Sequence, residues 1–305
     1  MNMTIFAVSL LFAFGSTLAL ARVYRKKLSK MYMAGEYSKD MIFSYSLITA
    51  GALYSTWYCF AEGYSFRAWM LFLFFSLITG LGISLGLHRH DTHRSYKAGS
   101  VFLFILSTLA WMGGMKKVTW IANHKLHHEK EDGPDDPHSP CLFNNYGDWW
   151  GFMWSHLVWM LVPRPHLEAL KKTNISKIPF IRTERYLFLP CLILGFAIPT
   201  ALLGWEGLWI SFLRMFYVLH VTFKTNSSGH MFGTTVGKTS LSRNGSWIGA
   251  LFTMVGELYH ANHHADQRSA FLGWRWFDVD AGKWLLLILE RFGVVDNVNR
   301  PRISV

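Results

Sequence analysis

Charge is scarce in this chain. Only 16% of its 305 residues are Asp, Glu, Lys or Arg, against about 25% in soluble proteins, so an ordinary water-soluble domain is not indicated. Acidic residues are the scarcer kind, 19 against 30 basic ones, which gives a formal net charge of +11. Nucleic-acid binders share such an excess, but they gather Lys and Arg on a polar, soluble surface. Here the basic residues flank apolar runs. They read as cytoplasmic anchors and as a face for anionic lipid or an acidic redox partner, with no nucleic acid involved. Cysteine is nearly missing: Cys59, Cys141 and Cys191 are odd in number and far apart, which excludes a disulfide framework and a CxxC metal site. No internal repeat of 20 to 50 residues and no low-complexity tract is visible.

Long apolar runs are what the chain has instead. A bilayer core of about 30 Å takes roughly 20 apolar helical residues, and five runs approach that: 3–21, 41–61, 68–87, 186–205 and the shorter 207–223, which contains Arg214. Val101 to Met115 is too short to span and reads as a buried or interfacial helix. Arg22, Arg25, Lys26, Lys27 and Lys30 place the loop after the first run on the cytoplasmic side. The expected fold is therefore an all-α integral membrane protein, multi-pass, with two transmembrane helical hairpins at about 41–87 and 186–223 and an extra N-terminal span. Residues 1–40 form the N-terminal apolar segment and basic loop. Residues 41–305 form one domain whose polar stretches, 88–185 and 224–305, make a cytoplasmic cap. The first run also resembles a signal peptide at Leu18 to Ala21, but it lacks a basic n-region.

Fourteen histidines are present, and their spacing carries the chemistry. His124, His127 and His128 form HxxHH; His260, His263 and His264 form it again; His88 and His93 form HxxxxH. Chance would supply about 0.03 copies of HxxHH in such a composition. On a helix, residues i, i+3 and i+4 share a face, so each HxxHH aims three imidazoles at a common region. An i, i+5 pair lies about 140° apart on an α-helix, so His88 and His93 must clasp something beside the helix, or the helix must end between them. Eight imidazoles exceed the needs of one four-coordinate zinc, which implies two ions. Imidazole alone does not choose among Zn, Cu, Fe and Ni. His90, His138, His156 and His166 have no partner at ligand spacing and receive no role.

The three boxes, in this order and separated by apolar hairpins, resemble the membrane fatty-acid desaturase family and its Δ9 acyl branch, the stearoyl-CoA desaturase-like one. HRHDTHRSYKA at 88–98, RMFYVLHVTFKTNSSGHMFG at 214–233 and GELYHANHH at 256–264 carry the likeness, which extends over about residues 40–295. The resemblance implies a histidine-ligated di-iron centre. His88, His93, His124 and His260, with Asn226 through water, would hold one iron, and His127, His128, His230, His263 and His264 the other. His230 and Asn226 enter only through the resemblance. His90 and Lys224 stand where relatives are more apolar. It also implies O2-dependent desaturation of a long-chain fatty-acyl substrate at Δ9, carried on CoA, acyl carrier protein or a glycerolipid.

A saturated C–H bond offers nothing to a base, so a redox metal with O2 must take the hydrogen, which selects iron over zinc. Asp91, Glu129, Glu257 and Asp266 lie beside the boxes and are candidates to orient the imidazoles. Arg94, Lys97, Lys125 and Arg164 are candidates for a phosphate-bearing head group. With no HPGG haem stretch and no cysteine cluster, electrons must come from a separate ferredoxin, rubredoxin or cytochrome b5-like donor. The rival readings are a di-iron hydroxylase of a lipid, sterol or carotenoid, and a metal transporter. A transporter would be expected to carry ionisable ligands inside its spans, where only Arg214 and His220 occur.

Overall fold

The computed structural model describes residues 2–31, 35–143, 148–163, 177–237, 241–253 and 255–302. Nearly all regular structure is helical. Helix α1, Met3–Lys30, starts at Asn2, whose Oδ1 accepts from the Ile5 N–H at 3.3 Å, the usual relief for an orphan donor of the first turn. It continues through Arg22 to Lys30, a stretch expected as a loop, because Tyr24 and Leu28 are buried and the Tyr24 hydroxyl donates to Trp150 O at 2.9 Å. Helix α2, Lys39–Ala61, packs along α1. Helix α3, Phe66–Leu81, runs without a break into a π-helical segment, Gly82–Thr92.

Helix α4, Ser100–Met112, is the short run expected at 101–115. It buries Leu103, Leu106, Ala110 and Trp111 and leaves Val101 and Ile105 exposed. After Gly113 and Gly114 the chain bends by 90° into α5, Lys117–Lys130. Gly114 has φ +81° there, a conformation that side-chain-bearing residues resist. Helix α6, Trp149–Met153, passes through a π turn, Trp154–Val158, into α7, Trp159–Leu161. Helix α8, Ile181–Leu203, carries Pro190 and Pro199 and turns at Gly204 into α9, Trp205–Met231. Helix α9 is central, with α2, α3 and α8 all packed on it. The short helices α10, Trp247–Thr253, and α11, His260–Ala265, lead to α12, Ala281–Arg291. A two-stranded antiparallel sheet, β1 Lys97–Ala98 with β2 Val295–Asp296, ties the C-terminal segment to the chain just after the first histidine box.

Among the described residues, three helices are long and apolar enough to cross a membrane: Met3–Lys30, Phe66–Thr92 and Ile181–Leu203. The bent pair α4 and α5 makes up to four if it counts as one broken span. The expected runs at 41–61 and 207–223 are helical too, but they fall short in apolarity. Ser, Thr and Tyr recur along α2, and α9 carries Glu206, Arg214, His220 and Lys224.

Candidate metal centre

Each histidine box is built locally and then divided. On α5 the i, i+4 pair His124 and His128 brings its Nε2 atoms to 3.1 Å, while His127, at i+3, leans to the other side. On α11 the i, i+4 pair His260 and His264 meets at 3.0 Å, and His263 is the one that departs. The reason is angular: four residues overshoot a 3.6-residue turn slightly, whereas three fall short of it on the opposite side. Each helix therefore supplies a pair to one cluster and a single imidazole to the other.

The first cluster gathers His88, His93, His124 and His263. His128 joins it, with Nε2 2.9 Å from His263 Nε2. The second gathers His127, His230, His260 and His264. This corrects the partition implied by resemblance: His128 and His263 sit with the first group and His260 with the second. Asn226 lies one turn before His230 on α9 and lines the same cavity as His88 and His124.

The π-helical segment resolves the spacing of His88 and His93. A π-helix bonds residue i to i+5, so residues five apart stack. The His93 N–H donates to His88 O at 3.2 Å, and the two rings lie 5.1 Å apart. Gly82 allows this segment to press on α4, since a Cβ there would stand 2.6 Å from Ala110 N.

Carboxylates fix the orientation of four of the nine rings. His88 Nδ1 lies 2.8 Å from Glu257 Oε2, His127 Nδ1 2.8 Å from Asp136 Oδ2, His230 Nδ1 3.0 Å from Asp132 Oδ2 and His264 Nδ1 2.8 Å from Glu131 Oε1. A neutral imidazole that donates from Nδ1 presents a bare Nε2 lone pair. The Nε2 atoms of all nine histidines converge at 2.8–3.3 Å. His127 and His264, both set by carboxylates, face each other through bare Nε2 atoms at 3.3 Å, and these lone pairs repel one another unless a cation sits between them. Nitrogens about 2.1 Å from a first-row metal and at right angles to each other are separated by about 3.0 Å, so the donor set fits two metal ions. Burial holds His260, His263 and His264 well below the ordinary imidazole value, which keeps them neutral as ligands must be. Burial would raise the Asp136 carboxyl, but the His127 imidazole outweighs it and holds that carboxyl far below the usual range.

Of the residues expected to orient the boxes, Glu257 touches His88 and also accepts from the Ser84 hydroxyl. Asp91 instead pairs with Lys117 Nζ and with His90 Nδ1, both at 2.7 Å. Glu129 is exposed near Lys130, and Asp266 accepts from the Arg302 N–H. Glu131, Asp132 and Asp136 are the orienting acids the sequence reading missed. Their signal was the acidic run EKEDGPDD directly after the second box.

A cavity of about 1310 Å³ reaches this centre. Leu77, Ile83, Met115, Leu192 and Val218 give it an apolar wall, and His88, His124, Glu257 and Asn226 border it. It opens where exposed Asp40, Ser44, Lys116 and Arg185 line it. These are not the cations expected for a head group. Arg94 donates to Lys177 O at 3.0 Å, Lys97 is in β1, Lys125 is exposed on α5, and Arg164 lies outside the described residues.

The sequence profile described as fatty acid desaturase matches residues 67–283. The chain is 35% identical to a hex-5-enoyl-(acyl-carrier protein) acetylenase of Moorena producens, over 72% of this chain and 73% of that one. It is 34% identical to an sn-1 stearoyl-lipid 9-desaturase of Anabaena variabilis, over 74% and 81%. An sn-1 stearoyl-lipid 9-desaturase of Synechocystis sp. is also 34% identical, over 76% and 71%.

Proposed function

The chain belongs to the fatty acid desaturase family, in its Δ9 branch, and is an oxidoreductase of fatty-acyl substrates; from that premise we propose that it uses O2 to place a cis Δ9 double bond in a glycerolipid-bound long-chain acyl group. The observation that carries this is the apolar cavity leading to His88 and His124. It exceeds the about 300–1,000 Å³ of ordinary small-molecule pockets, and its walls suit a chain of methylenes. Relatives named for stearoyl-lipid substrates favour the glycerolipid carrier, and Lys116 and Arg185 at the opening suit a polar head group.

Nine histidines would hold two irons: His88, His93, His124, His128 and His263 the first, with Asn226 through water, and His127, His230, His260 and His264 the second. Bound iron supplies reduction of O2 and removal of hydrogen from an unactivated C–H bond, chemistry that side chains lack. The chain's own contribution is placement. The cavity wall fixes one pair of methylenes near the centre, Glu257, Asp136, Asp132 and Glu131 hold their four rings in one tautomer, and the filled cavity excludes water. We place the protein in the membrane as a multi-pass chain, with the hairpins at about 41–87 and 186–223 and with the histidine-bearing cap on the cytoplasmic side, where the basic residues steer an acidic one-electron donor.

Expression in a desaturase-deficient host, followed by fatty-acid profiling, tests the reading. New monounsaturated acids are expected, and they should vanish with His127→Ala or His263→Ala. An unchanged profile from iron-loaded, donor-supplied protein would refute it, and an alcohol as the main product would replace desaturation with hydroxylation.

A further inference from the structure

Four polar side chains outside the two histidine clusters form one continuous hydrogen-bonded row. Tyr45 Oη lies 3.1 Å from His220 Nε2, His220 Nδ1 lies 2.9 Å from His156 Nε2, and His156 Nδ1 lies 2.9 Å from Ser227 Oγ. They come from α2, α9 and the π turn Trp154–Val158. Phe152, Phe216 and Phe223 wall the two imidazoles, whose ring centroids are 5.1 Å apart. Polar groups among aromatic rings are costly unless each is bonded, and here both hydroxyls and all four ring nitrogens are joined end to end.

We propose that Tyr45, His220, His156 and Ser227 form a proton relay to the second cluster, an inference that rests on the desaturase reading above. Converting –CH2–CH2– to –CH=CH– with O2 yields two waters. Two hydrogens come from the substrate, two electrons come from an external one-electron protein donor, and two protons must be brought in. An acyl chain filling the cavity displaces the water that would carry them, so fixed groups have to serve.

The row has ends in useful places. Tyr45 borders the cavity beside exposed Ser44 and Asp40. Ser227 is three residues before His230 on α9, a separation of about 5–6 Å between Cβ atoms. His220 and Ser227 are two helical turns apart, so the row advances a proton about 10 Å along α9 toward that cluster.

One set of tautomers serves all three bonds. The Tyr45 hydroxyl donates to His220 Nε2, His220 Nδ1–H donates to His156 Nε2, and His156 Nδ1–H donates to Ser227 Oγ. A proton arriving at Tyr45 displaces the hydroxyl proton onto His220, each ring passes on its own Nδ1 proton, and Ser227, whose hydroxyl otherwise lies 3.5 Å from Phe223 O and Lys224 O, turns to release its proton to the oxygen being reduced to water beside the second cluster. No group changes oxidation state, and both rings finish in the opposite tautomer, from which they reset before the next transfer.

Tyr45→Phe removes one oxygen, and His220→Gln keeps a polar side chain that cannot pass a proton through. Each is expected to lower product formation about tenfold or more, with a larger solvent deuterium isotope effect and more O2 consumed per double bond, while iron content and melting temperature stay as in the unaltered chain. Activities within twofold and an unchanged isotope effect would overturn the relay, as would losses explained entirely by a lower melting temperature. A second measurement uses metal-free, substrate-free protein with 15N-labelled histidine in lipid nanodiscs. A coupling across the His220 Nδ1 to His156 Nε2 hydrogen bond is expected and should disappear in His156→Gln; its absence from the unaltered chain overturns the row itself. An unaltered chain that makes no product refutes the desaturase reading separately, because the coupling is read without turnover.

Discussion

Asp136→Asn should distinguish the two proposed metal positions. Asp136 is fully buried; its Oδ2 accepts from His127 Nδ1 at 2.8 Å and from the Asp132 N–H at 2.9 Å, and its Oδ1 accepts from the His138 N–H at 3.0 Å. Three donors face two acceptor oxygens, and asparagine offers one. With the amide oxygen turned toward His127, the amide NH2 meets the His138 N–H, leaving buried donors unpaired at about 1–3 kcal/mol. With the amide reversed, His127 loses the acceptor that fixes its tautomer. In the better orientation His127 still loses a carboxylate partner, a change that costs about 10–100-fold in metal affinity, or roughly 1.4–2.7 kcal/mol. The loss falls on the second cluster, where His127 belongs. Purified protein dialysed against graded chelator and assayed for iron should show two ions held by the unaltered chain. Asp136→Asn should release the second cluster's ion at about 10–100-fold lower chelator and weaken the first cluster's ion, whose ligands are intact, by less. Glu257→Gln should do the mirror experiment through His88. Release of both ions at the same chelator concentration as the unaltered chain would refute the assignment. Asp266→Asn is the contrast, since Asp266 caps the Arg302 N–H and its loss should leave iron content alone.

Leu77→Trp narrows the cavity eleven residues before His88, about 16 Å along the helix, so gas chromatography of the products should shift toward shorter chains at unchanged iron content; an unshifted distribution would move the acyl site elsewhere. Asp280→Asn breaks the buried pair with Arg89, whose Nη2 lies 2.8 Å from Asp280 Oδ1. It should cost roughly 3–5 kcal/mol, read as a lower unfolding temperature in detergent. Stripping the metal should itself lower that temperature, because ions bound only by the folded chain at about 100 times their Kd contribute about 2.7 kcal/mol each; equal temperatures with and without iron would show that the nine imidazoles tolerate each other unaided.

The histidine boxes were legible because their information is local. An HxxHH repeat on a helix fixes the relative direction of its rings whatever the rest of the chain does. The partition was not legible, because it depends on how α5 and α11 face each other, and sequence spacing carries no record of that. The π-helical segment at 82–92 escaped for a different reason. Its i, i+5 pairing contradicts the 3.6-residue period on which the reading rested, and only the alternative that the pair clasps something survived. Among the orienting acids, Glu257 was found beside its box. Asp132 and Asp136 reach back from a turn, at distances that adjacency does not anticipate. The apolar runs at 68–87 and 186–205 became helices because length and composition suffice for that. The runs at 41–61 and 207–223 became helices that are partly polar, since they pack around the cavity and bear groups such as Tyr45 and His220.

The division of each box between clusters has a thermodynamic consequence. Helix α5 gives His124 and His128 to the first cluster and His127 to the second, while α11 gives His263 to the first and His260 and His264 to the second. Neither ion can be held without both helices in place, so the first ion bound orders the side chains that the second requires. Ordering a rotamer-rich side chain costs about 0.5–1.5 kcal/mol, and the shared helix positions extend that ordering to the backbone. Iron titration of the metal-free protein should therefore be cooperative, with singly loaded chains scarce at half saturation, as native mass spectrometry would count them. Truncating one shared position, as in His127→Ala, should weaken the first cluster's ion too, although His127 is not among its ligands. Statistical loading of two independent ions would show that the clusters are separate sites, and the crossed arrangement of the boxes would then have no energetic meaning.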